Sequence, residues 1–576
     1  MKKQLILLSL LSLLSATILC AAAQDKPIVI GQAIDFLDNA FYTEKEFYTQ
    51  AELRRRLELA YAGGVRRVYF RGTGGVTYYP SSVRRMYTGS HSDEYAKKLY
   101  DTIHSYDVVA EYIKVCHELG MELYYWDPIF DTSLYSKNYP GMEAYALYGA
   151  QPCRDFSINP EHCLQHRLAV SRPRENLHGT IGELRLHLAQ APKGIVTAGK
   201  LRIYTAPHDH DFQPYTAPYD VHMEGNDIII SGLYVYNPVV KLAFEDDFYL
   251  VTDLMDGDAA TATYTSGEPV KLFTACEVVL DGDTDPVRVR HGSSGYLCGW
   301  GDAAAKRTLI VRFGDFERNA IGVPEYAFRE NRLRMEKIVG ELYDRYPELD
   351  GVAFSIRTHS LPSGGSPDKV GGKLCYGFSE PVVEEYRRRY GTDPTAEDYD
   401  VDAFLKLRGE YFTQMLDGVA KIIHAHGGKF AVMAPVNARK VGPYNHGSMY
   451  PWLEHYSIDN YFDIETWARR GIVDSVMMLG TGHRQRDWTQ GWKDEVKAFK
   501  AKLAGTDTRL TLHFLVNDDA GQENCQPLLD EVLREGDIDE VEFYEEFTMA
   551  VCGKYPVLME ALKKAGRPHT PSRWTK

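Results

Sequence analysis

Eight times along this chain a short apolar run ends in polar residues and gives way to a segment with helical spacing. The runs lie near 27–31, 65–70, 121–126, 352–356, 430–434, 475–479, 510–516 and 541–544. The helical patterns between them stop at glycine, as at Gly63-Gly64, Gly120 and Gly427-Gly428. Strand and helix units repeated in this way predict a parallel sheet, because each crossover must carry the chain back to the same edge. Eight units are what a closed (β/α)8, TIM-like barrel requires. An open sheet is the alternative, and the polar residues at most strand ends favour closure.

The alternation breaks once. From 151 to 314 no long segment reads as helix. Short alternating runs such as LRLHLAQ, KLRIYTA, DIIISG and RTLIVRF follow one another, with turns such as EGND and DGDTD between them. Such spacing predicts a β-sandwich-like domain inserted after the third strand. The expected organisation is 24–150 and 319–570 as the two parts of the barrel, with 151–318 as the inserted all-β domain. The long pattern over 95–119 reads as one helix.

The chain opens with Lys2 and Lys3, an apolar run over 5–19 and Ala21-Ala22-Ala23. A basic start, a short apolar core and an A-x-A end predict a secretory signal peptide over 1–23, hence an exported protein, periplasmic or extracellular. Leu19 stands before Cys20 where a lipoprotein signal needs a small residue, so lipidation is not expected. No later stretch has the length and apolarity of a membrane span. A formal net charge of −15 argues against nucleic acid as a partner. Eight cysteines follow the signal region without a C-x-x-C pair, which excludes a zinc ribbon or thioredoxin-like site. Cys153 with Cys163, or Cys276 with Cys298, could pair in an oxidising compartment, or these could be free thiols. Nothing in the spacing calls for a metal or a cofactor, and the oligomeric state is open.

In barrels of this kind the chemistry sits at the carboxyl ends of the strands. Those ends carry Asp35, Arg71, Trp126 with Asp127, Arg357 with His359, Asn437, His483, Asp518, and Glu545 with Glu546. Carboxylates converging on one mouth suit glycosidic cleavage, which pairs a protonated acid with an ionised carboxylate. Asp127 and one of Glu545 or Glu546 are the expected catalytic pair, with Glu380 in reserve. The two glutamates alternate across the strand, so at most one of them faces inward. Asp35, Arg71, Trp126, Arg357, His359, Asn437, His483 and Asp518 are expected to contact substrate. Each has a plainer reading: Asp127 before Pro128 as a turn residue, Glu380 before Pro381 and Asp518 as helix caps, Trp126 as core. Rival chemistries lack their signatures, since there is no G-x-S-x-G elbow, H-E-x-x-H helix or Walker loop.

The stretches DGVAFSIRTHS, YGFSEPVVEEYRRRYG, LKLRGEYFTQML and DIETWARRGIVDSVM give the chain a further handle. Over about 331–474 it resembles the family-10-like glycoside hydrolase barrels, a group of exported bacterial proteins. The resemblance implies a (β/α)8 barrel and a carbohydrate substrate. It does not carry a catalytic pair with it. Retaining barrels of the large glycosidase clan place Asn-Glu after strand four and Glu after strand seven. Here those positions read Arg357-Thr358-His359 and Asn517-Asp518-Asp519. The expected function is an exported glycoside hydrolase acting on a polysaccharide or oligosaccharide. The alternative is a non-catalytic glycan-binding protein on a degenerate barrel.

Overall fold

The computed structural model describes residues 28–36, 48–72, 75–84, 86–87, 94–130, 133–134, 153–154, 158–165, 180–188, 197–206, 213–237, 239–244, 251–252, 270–271, 273–282, 284, 286–293, 308–312, 319–356, 377–395, 398–434, 460–478, 490–515, 538–544, 556 and 559–560. Eight of its strands close into a parallel barrel: β1 (Val29–Asp35), β2 (Arg67–Arg71), β3 (Glu122–Pro128), β4 (Gly351–Ser355), β5 (Lys429–Ala434), β6 (Ser475–Met478), β7 (Arg509–Leu515) and β8 (Glu540–Tyr544). The helices are α1 (Gln50–Ala62), α2 (Glu94–Ser105), α3 (Val108–Leu119), α4 (Arg329–Arg345), α5 (Glu380–Tyr390), α6 (Val401–Ala425), α7 (Ile464–Arg469) and α8 (Gln490–Leu503). The expected single helix over 95–119 is two. The Asp107 carboxylate accepts the Ala110 N–H at 3.1 Å and starts α3 afresh, a capping bond that competes with continuing the first helix. That helix ends at Gly120, whose φ of 76° is the left-handed turn that costs glycine least. Among the described residues, no helix is long and apolar enough to cross a membrane.

The register fixes which side chains fill the barrel. Asp35 pairs with Arg71, Arg71 with Trp126, Trp126 with Ala353, Ala353 with Ala431, Ala431 with Ser475 and Ser475 with Arg509. Carried on through β8, this path meets β1 eight residues behind its start, the stagger of a (β/α)8 barrel. Alternation then turns Tyr69, Tyr124, Trp126, His513, Glu540, Glu542 and Tyr544 inward. Gly31 is the concession to them. A Cβ there would lie 2.7 Å from Glu540 Oε1 and 2.9 Å from the Tyr69 ring.

The amino-terminal end of the barrel is plugged by charge. Arg67 on β2 bonds Glu122 on β3 through Nε at 2.8 Å and also reaches Glu540 on β8, while the Tyr69 hydroxyl donates to Glu540 at 2.7 Å. All four side chains are buried. Burial pushes the Glu540 and Glu122 carboxyls up, and Arg67 opposes it. Burial on its own would lower Arg67, yet Glu540, Tyr124 and Glu122 raise it well above its ordinary value.

Outside that plug a device repeats. The residue before β4, β6 and β8 is Asp350, Asp474 and Asp539, and each accepts an N–H from the strand before it. The donors are Leu123 at 2.8 Å, Phe430 at 2.9 Å and Leu510 at 2.9 Å. Each aspartate also holds a basic side chain from the helix layer, and Asp474 holds one from β5 as well. His117 meets Asp350, His424 and Lys429 meet Asp474, and Lys500 meets Asp539.

Between β3 and β4 the chain forms a nine-stranded antiparallel sheet. Its spatial order is Asp220–Glu224, Asp227–Ser231, Ile181–Leu188, Phe273–Leu280, Val287–Ser293, Thr308–Arg312, Val239–Phe244, Leu201–Ala206 and Gln213–Pro214. Leu184, Leu186, Ile228 and Ile230 from one half share a core with Val240, Leu242, Leu309 and Val311 from the other. A sheet whose two halves bury the same cluster has curled over on itself, which suits alternating strands with one apolar face. Cys276 lies in that core as a free thiol that burial pushes well up.

Candidate active site

At the carboxyl ends of β1, β2 and β8 three polar side chains meet. Arg71 Nη1 donates to Asp35 Oδ2 and, at 3.0 Å, to the Tyr544 hydroxyl. That hydroxyl lies 3.5 Å from the same Asp35 oxygen. The Arg71 guanidinium also faces the Tyr544 ring, 6.0 Å from its centre. Asp35 is 6% exposed, so its carboxylate is held at the rim in one orientation rather than waving in solvent.

Beneath this triad is an aromatic layer. Trp126 stands edge-on to His513 at 5.9 Å and to Tyr544 at 5.7 Å, and Tyr69 supports it from below at 6.4 Å. His513 and Tyr544 are 5.6 Å apart. His513 Nδ1 bonds Glu542 Oε2, so a carboxylate fixes how the imidazole stands. Glu542 is fully buried. Its Oε1 and the Trp126 indole N–H have no hydrogen-bond partner among the described residues. An acceptor and a donor left over in the buried interior are unusual, because such atoms cost stability until a hydroxyl or water reaches them.

The structure separates the sequence candidates. Asp35, Arg71 and Trp126 come together as described. Asp127 does not join them, and the expectation that it stands at the mouth is corrected by strand alternation. Trp126 faces the interior, so Asp127 faces the outer layer, where Arg84 Nη1 meets its Oδ2 at 2.8 Å. Both side chains are almost wholly buried there. Arg334 on α4 is near; burial and then the Arg84 charge hold its pKa well below the ordinary value, against the pull of Asp127. Glu380 is the exposed first residue of α5, ahead of Pro381 in the first turn, where an acid complements the helix end. Glu545, Glu546, Arg357, His359, Asn437, His483 and Asp518 lie outside the described residues.

Sequence reasoning passed over Glu542, His513 and Tyr544. Their signal was present: in EVEFY and RLTLHFL a polar or aromatic residue recurs at every second position inside an otherwise apolar strand. That is the mark of a strand facing a polar barrel interior. Arg84 had no such signal, since its partner lies 43 residues on in another element.

Neither a family model nor a curated protein matches this chain. Among solved structures, the catalytic domain of β-amylase from Paenibacillus polymyxa is similar at a TM-score of 0.38 and 7% identity, over 95% of this chain and 96% of that one. The PgaB (BpsB) glycoside hydrolase domain from Bordetella bronchiseptica gives 0.38 and 11%, over 94% and 100%. Isomaltulose synthase from Erwinia rhapontici gives 0.31 and 8%, over 95% of this chain and 74% of that one.

Proposed function

We propose that the chain is an exported glycoside hydrolase of the family-10-like kind, acting on a polysaccharide or oligosaccharide. The observation that carries this is Asp35, oriented by Arg71 and Tyr544 at the carboxyl end of the barrel above a layer containing Trp126 and His513. Glycosidic cleavage uses one carboxylate as base or nucleophile and one carboxylic acid at the leaving oxygen. A carboxylate paired with a guanidinium suits the first part, and Asp35 takes it. The second falls to Glu545 or Glu546, which follow Tyr544 directly in sequence. Of these, Glu546 keeps the every-second-residue spacing of Glu540, Glu542 and Tyr544. The Trp126 indole N–H and Glu542 Oε1 supply a donor and an acceptor for a sugar hydroxyl reaching the floor. Asp127 is assigned to structure. Export rests on the signal-like stretch over 1–23.

The test is reducing-end release by the mature protein across a panel of neutral and acidic polysaccharides and oligosaccharides. On whichever substrate is cut, Asp35→Asn is expected to lower turnover at least about a thousandfold, the loss of a group acting in the transition state, with an unchanged circular dichroism spectrum. Near wild-type turnover by that variant would remove Asp35 from the chemistry. The second reading is a glycan-binding barrel without turnover, favoured by Glu542 lying below the aromatic layer rather than beside Asp35. Retention of a glycan without release of ends would establish it.

A further inference from the structure

We infer that the all-β part carries a glycan-binding platform of its own, built from Tyr234 and Tyr236 and suited to a neutral sugar chain. These two are 56% and 69% exposed, the highest values among the large apolar or aromatic side chains described. Their exposure is built into the backbone. Leu233 before them and Val235 between them are buried in the core of the curled sheet. Val235 exchanges both backbone hydrogen bonds with Ile181, at 2.8 and 3.2 Å, and the Leu233 N–H bonds the Gly182 carbonyl at 2.9 Å. A strand-like segment pinned with its aliphatic residues inward must send both tyrosines outward, on one side.

The rings are also held. They stand perpendicular with centres 5.0 Å apart, and their hydroxyls share a hydrogen bond of 2.6 Å. The Tyr215 hydroxyl accepts the Tyr234 N–H at 2.9 Å. The hydrogen bond with Tyr234, and after it the nearby Thr180 side chain, hold the Tyr236 pKa below its ordinary value. Two exposed aromatics already fixed in place lose little freedom when something flat and apolar settles on them. A pyranose ring fits that requirement. Its C–H face covers an aromatic ring, and its rim hydroxyls find the phenol oxygens, Thr180 and the exposed Asp281 carboxylate. The bond between the hydroxyls raises the Tyr234 pKa and lowers that of Tyr236. Asp281 is close enough for its charge to act on both, adding to the first shift and opposing the second. That acidic neighbour, on a chain of net charge −15, disfavours uronic or sulfated chains and favours neutral ones. The inference does not depend on catalysis in the barrel.

The experiment is native gel electrophoresis of the full mature protein in gels cast with dextran, galactomannan, xylan or mixed-linkage β-glucan, with polygalacturonate as the charged control. Retardation is expected in at least one neutral gel. Tyr234→Ala/Tyr236→Ala should weaken it by about tenfold or more, in line with losing a fixed aromatic contact, with the thermal midpoint little changed because both rings are exposed. Tyr234→Phe/Tyr236→Phe should keep most of the retardation, since the ring faces remain. Failure of all neutral gels to retard the wild type, or equal retardation of the alanine variant, would overturn the platform. So would loss of a concentration-dependent dimer in the alanine variant without loss of glycan retention, since the face would then be a contact between copies. Catalytic failure is read separately, as end release from short oligosaccharides by the same variants.

Discussion

Arg67→Met removes the cation shared between Glu122 and Glu540 at the closed end of the barrel. All three side chains are at most 5% exposed, so solvent gives little relief. At an effective dielectric of 20, each carboxylate a few ångströms from the guanidinium gives up about 4 kcal/mol of attraction. The protein can escape part of this by protonating Glu540, whose carboxyl burial already holds above the ordinary 4.5. For a group with a raised folded value, protonation favours the folded state, so its stabilisation is complete at low pH and is lost as pH rises above 4.5. Taking up that proton costs about 5 kcal/mol at pH 8 but under about 1 kcal/mol at pH 5. The deficit of the variant should therefore be several kcal/mol at pH 8, at least the about 3–5 kcal/mol of breaking a buried pair. It should be smaller at pH 5, where the Glu540 share is relieved by a proton that costs under about 1 kcal/mol. Urea unfolding followed by tryptophan fluorescence at both pH values measures it. Arg67→Met/Glu540→Gln should recover much of the loss at pH 8. A deficit that is the same at both pH values, or a double variant no better than the single one, would refute the reasoning.

Asp127→Asn should lower stability by about 3 kcal/mol by taking the charge away from buried Arg84, while the folded fraction keeps its turnover; thermal melts and activity per folded molecule separate the two. Asp474→Asn should be less stable than wild type at neutral pH. Burial opposes the effect, but His424, the Phe430 N–H and Lys429 together hold Asp474 below its ordinary 3.8. A depressed carboxylate stabilises above 3.8, and that stabilisation is lost as pH falls through the folded value. The gap in urea midpoint between variant and wild type should accordingly narrow toward pH 3.5, and a gap that widens on acidification would contradict the bond pattern.

The barrel was legible because its strands are buried on both faces and write themselves as unbroken apolar runs, such as Val352 to Phe354 or Phe430 to Ala434. The rim residues Asp35 and Arg71 were legible because each closes such a run. Asp127 misled because a strand end does not say which face its last residue takes. One step of alternation moved it from the mouth to the outer layer, and only the neighbouring Trp126 ring, lodged against His513, fixes that step. Glu542 and His513 stayed hidden for the opposite reason, as polar residues inside runs read for their apolar character. The division at Asp107 was obscured because valines and alanines continue the helical spacing straight through the new cap.

The aspartate before β4 has a consequence for how this architecture grows. Its bond to the Leu123 N–H joins residues 227 positions apart in sequence, and every residue of the curled sheet lies in that interval. Closing so long an excursion costs chain entropy, but only as the logarithm of its length. The seam between β3 and β4 is thus fastened at the end of the barrel away from the excursion, by Asp350 and His117, whatever the excursion contains. A cargo attached at one end of a zip that is locked at the other can be exchanged without re-cutting the teeth. By that logic the all-β part is a replaceable head on a fixed handle, and swapping it should change what the protein grips before it changes whether the barrel closes.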